Sequence, residues 1–161
     1  MSEEILATVH ASAARRFIGV GTMAGLGGLV LYLALATAPA LHWRLFLLVM
    51  GGGALFVAQF MWQTTGLRLE LTQTELRDSN GRQLVALDDV EAVNRGAFAF
   101  KPSNGFMIKT KSRQSKVWRP GMWWRMGRMV AVGGVTPGSQ TKPMADIMAA
   151  IVSGQEPFSL S

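Results

Sequence analysis

Two stretches of the chain carry no charged side chain, residues 17–38 and 45–62, and only residues 39–44 separate them. At about 1.5 Å of rise per residue, runs of 22 and 18 residues span about 33 and 27 Å as helices. Both lengths suit the roughly 30 Å hydrocarbon core of a bilayer. Pro39 stops the first helix, and the short link makes the two helices antiparallel neighbours. The pattern predicts a transmembrane helical hairpin over 17–62. Trp43 and Trp62 fall near opposite ends of the second helix, where indoles favour the interface, and Arg44 can snorkel outward.

Beyond Trp62 the hydrophobic period drops from helical spacing to two. Leu67, Leu69 and Leu71 alternate with Arg68, Glu70 and Thr72, a half-buried strand. Residues 75–79 make a second strand, Asn80-Gly81 a hairpin turn tolerant of positive φ, and residues 82–87 the return. Asp88-Asp89 turns again, and 90–95 resumes extended or as a short helical turn. Phe98 and Phe100 lead to a turn cluster at 102–105. A strand with Phe106, Ile108 and Thr110 on one face follows, then a turn at 112–115, a strand at 116–119 broken by Pro120-Gly121, and one or two strands over 122–132. After a Gly- and Pro-rich connector, 133–142, the period becomes helical. Met144, Ile147, Met148 and Ile151 follow i, i+3, i+4, i+7 spacing, with Pro143 near the helix start and Gly154 at its end. About seven short strands and one terminal amphipathic helix predict an open barrel or sandwich plugged by a helix. The domain is expected over 66–154, with 155–161 a tail.

The leader, 1–16, opens with Ser2-Glu3-Glu4, a helix-start signal. Ile5, Leu6, Val9 and Ala13 fall near one helical face, so a short interfacial helix is expected; a frayed terminus is the alternative. Arg15-Arg16 ahead of an apolar run leaves two readings open. One is a cytoplasmic anchor under the positive-inside rule. The other is a signal peptide of the twin-arginine kind, with Ala-rich cleavage candidates at 34–36 or 38–40. The 22-residue run exceeds the roughly 7–15 residues of a signal core.

Composition narrows the chemistry. The 161 residues include no Cys and two His, His10 and His42, neither of them in the expected domain. Disulfides, thiolate metal sites and a Ser/His/Asp triad are excluded there by inventory. No cofactor and no metal is expected. The net charge of +6 is uneven: residues 92–145 hold ten Lys or Arg and no Asp or Glu. Beside a membrane anchor, such a patch points to anionic lipid before nucleic acid. Residues 133–139 have the glycine spacing of a phosphate loop, but Ser139 stands where its Lys should be, and no strand–loop–helix unit surrounds them.

The segments 69–77 (LELTQTELR), Asn80-Gly81 and 87–93 (LDDVEAV) resemble the bacterial pleckstrin-homology-like proteins in which a transmembrane hairpin precedes the domain. The likeness lies in an L-x-L-T-x-x-x-L strand, a polar turn and a following apolar step, and it spans most of 45–154. It implies a PH-like, seven-stranded, partly open barrel capped by a C-terminal helix. It also implies an interaction role rather than an activity, at a bacterial inner membrane. Eukaryotic phosphoinositide-binding members carry bases in the first strand–strand loop. Here 73–75 carries none, which argues against recognition in that manner.

The candidate lipid or partner contacts are Lys101, Lys109, Lys111, Arg113, Lys116, Arg119, Arg125 and Arg128, with Trp123 and Trp124. Trp118, Met122, Met126 and Met129 extend the cluster. Adjacent tryptophans cannot both face the core of a regular strand, so at least one points outward. Candidate helix-packing positions are Gly21, Gly25, Gly28, Gly51, Gly52 and Gly53, with Gly21 and Gly25 a GxxxG pair. They seat one helix on the other, or serve a homo-oligomer or partner subunit. Arg15, Arg16, Arg68, Arg77 and Arg82 outweigh Arg44 and place both termini in the cytoplasm. The expectation is a non-enzymatic, multi-pass membrane module that binds anionic lipid or a protein. An accessory subunit of a membrane complex is second, and an enzyme a distant third.

Overall fold

A computed structural model describes residues 3–95 and 104–154. Strand β1 (Ala7–His10) is followed by two 24-residue helices, α1 (Ala13–Ala36) and α2 (Leu41–Thr64). Strands β2 (Arg68–Leu71), β3 (Glu75–Asp78) and β4 (Gln83–Ala86) come next. A 3-10 turn (Leu87–Asp89) leads to β5 (Val90–Asn94), β6 (Phe106–Arg119), β7 (Trp123–Val132) and the terminal helix α3 (Gly138–Val152).

The leader is a strand, not an interfacial helix. Thr8 and Val9 are β-branched, and β1 lies antiparallel to β2 with Ala7 opposite Leu71 and His10 opposite Arg68. Val9 is fully buried. Glu3, instead of starting a helix, accepts a hydrogen bond from Thr74 Oγ1 at 2.9 Å and lies 3.5 Å from Arg77. The domain therefore does not begin at residue 66. The helical hairpin is an insertion between its first two strands.

Seven strands are present among the described residues, but six come from the segment where about seven were expected and the seventh is β1. They form two separate antiparallel sheets, β1-β2-β3-β4 and β5-β6-β7. The expected partly open barrel is thus corrected to a pair of open sheets. The 3-10 turn at 87–89 takes the chain from one sheet to the other without a ladder between β4 and β5. The core lies between the sheets and under α3: Leu69, Leu71, Leu76, Leu84, Phe106, Ile108, Trp123, Val130, Met144 and Met148 are all buried.

Turns fall where the sequence places them at Asn80-Gly81, with Gly81 at φ +82°, and at Asp88-Asp89. The turn expected at 112–115 is instead a register slip inside the long β6 strand, between Lys109 and Gln114. Helix α3 starts at Gly138 rather than near Pro143, so half of the expected connector is its first turn. Thr141 Oγ1 donates to Asn104 O at 2.6 Å, and the His10 N–H donates to Gln140 Oε1 at 2.9 Å. Those bonds tie the early turn to both sheets. Phe98, Phe100, Lys101 and the tail 155–161 lie outside the described residues.

Each helix of the hairpin is about 36 Å long and apolar enough to cross a bilayer. Helix α1 starts four residues before its charge-free run, and α2 extends past its run at both ends, so the helices take in Arg15, Arg16, His42 and Arg44. A core helix of a soluble protein is mostly buried, whereas 11% of the most apolar stretch of each is buried here. Leu29, Tyr32, Leu35, Val49 and Phe56 are exposed.

The hairpin crosses at Gly27 and Gly51. A Cβ on Gly27 would lie 3.0 Å from Gly51 O, and one on Gly51 would lie 2.7 Å from the Leu31 side chain. Of the six candidate packing glycines only Gly51 serves this contact. Around Gly21, Gly25, Gly28, Gly52 and Gly53 an added Cβ would meet nothing within 4 Å, so these five face outward. The sequence shows Gly27 among the glycines dense in the first helix but not which of them faces the second, and the fold singles out Gly27 and Gly51.

Because β1 is the outer strand of the first sheet and Val9 is fully inside, Val9→Ala is expected to lower unfolding stability by about 2 kcal/mol. A chain beginning at residue 66 should fail to fold as the intact one does. Denaturation in detergent, followed by circular dichroism, checks both; a Val9→Ala midpoint equal to wild type would refute the role given to β1.

Candidate membrane-interface collar

The hairpin base is locked to the sheets by a ring of polar contacts. The last carbonyls of a helix have no partner within it. Here Arg16 reaches across from α1, donating from its terminal nitrogen to Trp62 O at 2.7 Å and from Nε to Thr65 Oγ1 at 3.0 Å. Its guanidinium lies 3.9 Å from the Trp62 ring centroid, and the Phe17 and Trp62 rings are 5.5 Å apart. Thr64 and Thr65 are buried, and Thr64 Oγ1 donates to Pro120 O at 2.9 Å. Arg15 donates to Thr136 O at 3.1 Å, and the Ser12 N–H to Val135 O at 2.9 Å. In the sequence Arg15 and Arg16 count only as charge; the orphan carbonyls of a neighbouring helix end are the signal for their structural role.

The turn between β6 and β7 sits under this ring. Gly121, at φ +83°, has no room for a Cβ, which would lie 2.9 Å from Thr65 Cγ2. On its other side the Val135 N–H donates to Gly121 O at 3.0 Å. The turn is therefore clamped between the end of α2 and the 133–136 loop. This clamp carries the end of the β6–β7 ribbon to the foot of the hairpin. Trp118 is half exposed there, its ring 6.1 Å from Phe60, which lies 6.5 Å from Phe56. Trp118 and Trp124 are cross-strand partners, and with Lys116 and Met126 they line a shallow groove of about 290 Å³.

The adjacent tryptophans divide as expected. Trp123 is 1% exposed, which removes it from the contact set and places it in the core, while Trp124 is half-buried on the outer face.

The basic residues do not form one free surface. Glu91, just before the acid-free stretch, takes Lys109 Nζ at 3.0 Å and Arg128 at 2.9 Å. Lys111 Nζ donates to Asp88 O at 2.8 Å. Arg125 turns inward, donating to Gln83 O at 3.2 Å, Leu84 O at 2.8 Å and Ser115 O at 2.9 Å. It joins β7 to the open edge of β4, and burial pushes its pKa down. Arg113 and Lys116 are exposed and make no ion pair among the described residues. Arg119 is half-buried near Phe60, at 5.6 Å.

Two carboxylates hold the β6 irregularity in shape. Asp89 accepts from the Ser112 N–H at 3.0 Å, Ser112 Oγ at 2.7 Å and Gln114 Nε2 at 2.5 Å. The Ser112 hydroxyl bond is the main cause of its lowered pKa. The Lys109 hydrogen bond likewise holds Glu91 below its ordinary value. No group of three metal-ligating side chains occurs among the described residues.

No family model, curated protein or solved structure matches the chain.

A depressed carboxylate pKa contributes stability above the unfolded value that is lost as pH falls through the folded value. Glu91 is therefore expected to titrate below its reference of 4.5, releasing Lys109 and Arg128 only under acid conditions. Carboxyl NMR of the detergent-solubilised chain should show the midpoint rising in Lys109→Met. An unchanged midpoint would remove Lys109 as the cause.

Proposed function

We propose that this chain is a non-enzymatic, membrane-anchored binding module whose two-sheet domain rests against an anionic bilayer surface. The hairpin crosses the membrane twice, and both termini stay on the cytoplasmic side with the flanking arginines. The observation that carries the reading is the clamp at Gly121. It fixes the exposed Trp118 beside Phe60 at the foot of α2, the depth at which indoles partition to the interface. Arg113 and Lys116, exposed on the same ribbon and without an ion pair among the described residues, add attraction of roughly 1 kcal/mol each close to anionic headgroups. Exposed leucines and phenylalanines around both helices find their apolar surroundings in lipid. Signal-peptide cleavage at 34–40 would cut β1 off from the sheet it completes, which favours retention of the anchor.

Catalysis finds little footing. The open cleft of about 570 Å³ between the sheets contains Glu75 and Asp88. Glu75 lies 3.6 Å from Arg77, and Lys111 bonds the Asp88 backbone beside it.

The test of the interface reading is fluorescence of the full chain in vesicles containing lipids brominated at shallow acyl positions. Wild type should be quenched, and Trp118→Phe should lose part of that quenching. Identical quenching in the two would sink the reading, because Trp118 would then be in water.

A second reading, an accessory subunit of a membrane complex, is favoured by the outward glycines, whose open faces admit close approach of another helix. Gly51→Leu is then expected to destabilise the hairpin, while Gly25→Leu leaves its melting in detergent unchanged and abolishes co-purification of the partner. Unaltered co-purification in Gly25→Leu rules this reading out.

A further inference from the structure

Arg119 ends β6 directly above the clamped turn. Its side chain is half-buried, and its Nε is shielded from solvent with no acceptor. Among the described residues no carbonyl or carboxylate takes up its charge. The other arginines of this region are committed: Arg15 to Thr136, Arg16 to Trp62 and Thr65, Arg125 to β4, Arg128 to Glu91. The contact that Arg119 does make, 5.6 Å from the Phe60 ring, leaves its Nε–H without an acceptor.

A guanidinium always carries its charge, and one without a carboxylate beside it, at the edge of an apolar surface, attracts an anion from outside the chain. Its cross-strand partner is Trp123, whose indole N–H is also buried without an acceptor. Directly opposed strand residues project to one face. Trp123 lies in the core, so of these two side chains only the guanidinium, beside Phe60, is placed to meet a ligand. The rung they form lies beside Phe60, where α2 leaves its apolar stretch, and below it run Phe60 and the exposed Phe56.

We infer that Arg119 holds the phosphate of a single anionic phospholipid, whose acyl chains lie along the Phe56–Phe60 face of α2. The inference rests on the interface reading and sharpens it from a diffuse attraction to a stoichiometric site. The planar fork of a guanidinium matches two phosphate oxygens at once, which an ammonium does not. Arg113 and Lys116 are exposed and free to move, so they steer the domain toward the surface without selecting a lipid.

The test is native mass spectrometry of the full chain released from micelles containing phosphatidylglycerol and phosphatidylcholine. Wild type should retain one phosphatidylglycerol in preference to phosphatidylcholine. Arg119→Gln should lower the retained fraction roughly tenfold, the loss expected for charged hydrogen bonds. Arg119→Lys should fall between. Each variant is first melted in detergent. If Arg119→Gln does not fold, Arg119→Lys decides, and retention equal to wild type overturns the site. Retention of both lipids alike also overturns it. So does displacement of the lipid by millimolar inorganic phosphate, which would make this a site for a soluble phosphate. Loss of lipid selectivity with Trp118 quenching intact defeats this inference alone; loss of the quenching defeats the interface reading with it.

Discussion

The fold depends on one backbone ladder, the pairing of β1 with β2 across an inserted pair of helices. Neighbouring strands sit about 4.7–4.9 Å apart, whereas packed helices sit about 8–10 Å apart. The chain must splay from the first spacing to the second within residues 11–12 and close again within 65–67. Gly27 and Gly51 bring the helices close, and Arg16 ties the end of α2 to the start of α1. Without the ladder the hairpin would be a flexible tether; with it, both helix ends emerge from a rigid sheet at fixed positions.

The same geometry explains the collar. A helix leaving an apolar medium exposes unpaired carbonyls, and a sheet edge meeting that helix exposes more. Arg16, Thr64 and Arg15 satisfy them with side chains from the hairpin, while Gly121 and Gly134 allow the two loops to approach without steric conflict. Polar satisfaction on the inside and aromatic exposure on the outside, at Trp62, Phe60 and Trp118, make one boundary. Further from it, Glu91 and Asp89 consume much of the positive charge that sequence alone assigns to a surface.

Local signals were legible. The alternation at 67–71, the Asn80-Gly81 turn, the Asp88-Asp89 turn and the two apolar runs all correspond to observed elements. Relations between distant residues were not. Strand β1 is four residues long behind a strong helix-start signal, and its partner lies beyond the hairpin. The slip in β6 reads as a turn because Ser112 and Gln114 are turn-like, yet Asp89, far back in the chain, supplies the bonds that keep the strand continuous. The cationic stretch 92–145 looks unopposed because Glu91 stands one residue before it. Lys109, Arg125 and Arg128 therefore look like a contact surface in the sequence while the fold engages them internally, whereas Arg119 meets the Phe60 ring and makes no ion pair among the described residues.

The insertion between β1 and β2 also bears on how such a chain is made. Synthesis delivers β1 first, and it has no partner until residues 68–71 follow. If the helices cross a bilayer as proposed, those two strands meet only when they finish on one side of it, so an even number of crossings becomes a condition for completing the sheet. A chain whose second helix failed to insert would leave β1 stranded, β2 with a bare edge and Val9 without a core. On the proposed topology, sheet closure reads out insertion, and a mis-inserted chain carries its own mark for removal: an exposed strand edge of the kind that aggregates or is bound by chaperones.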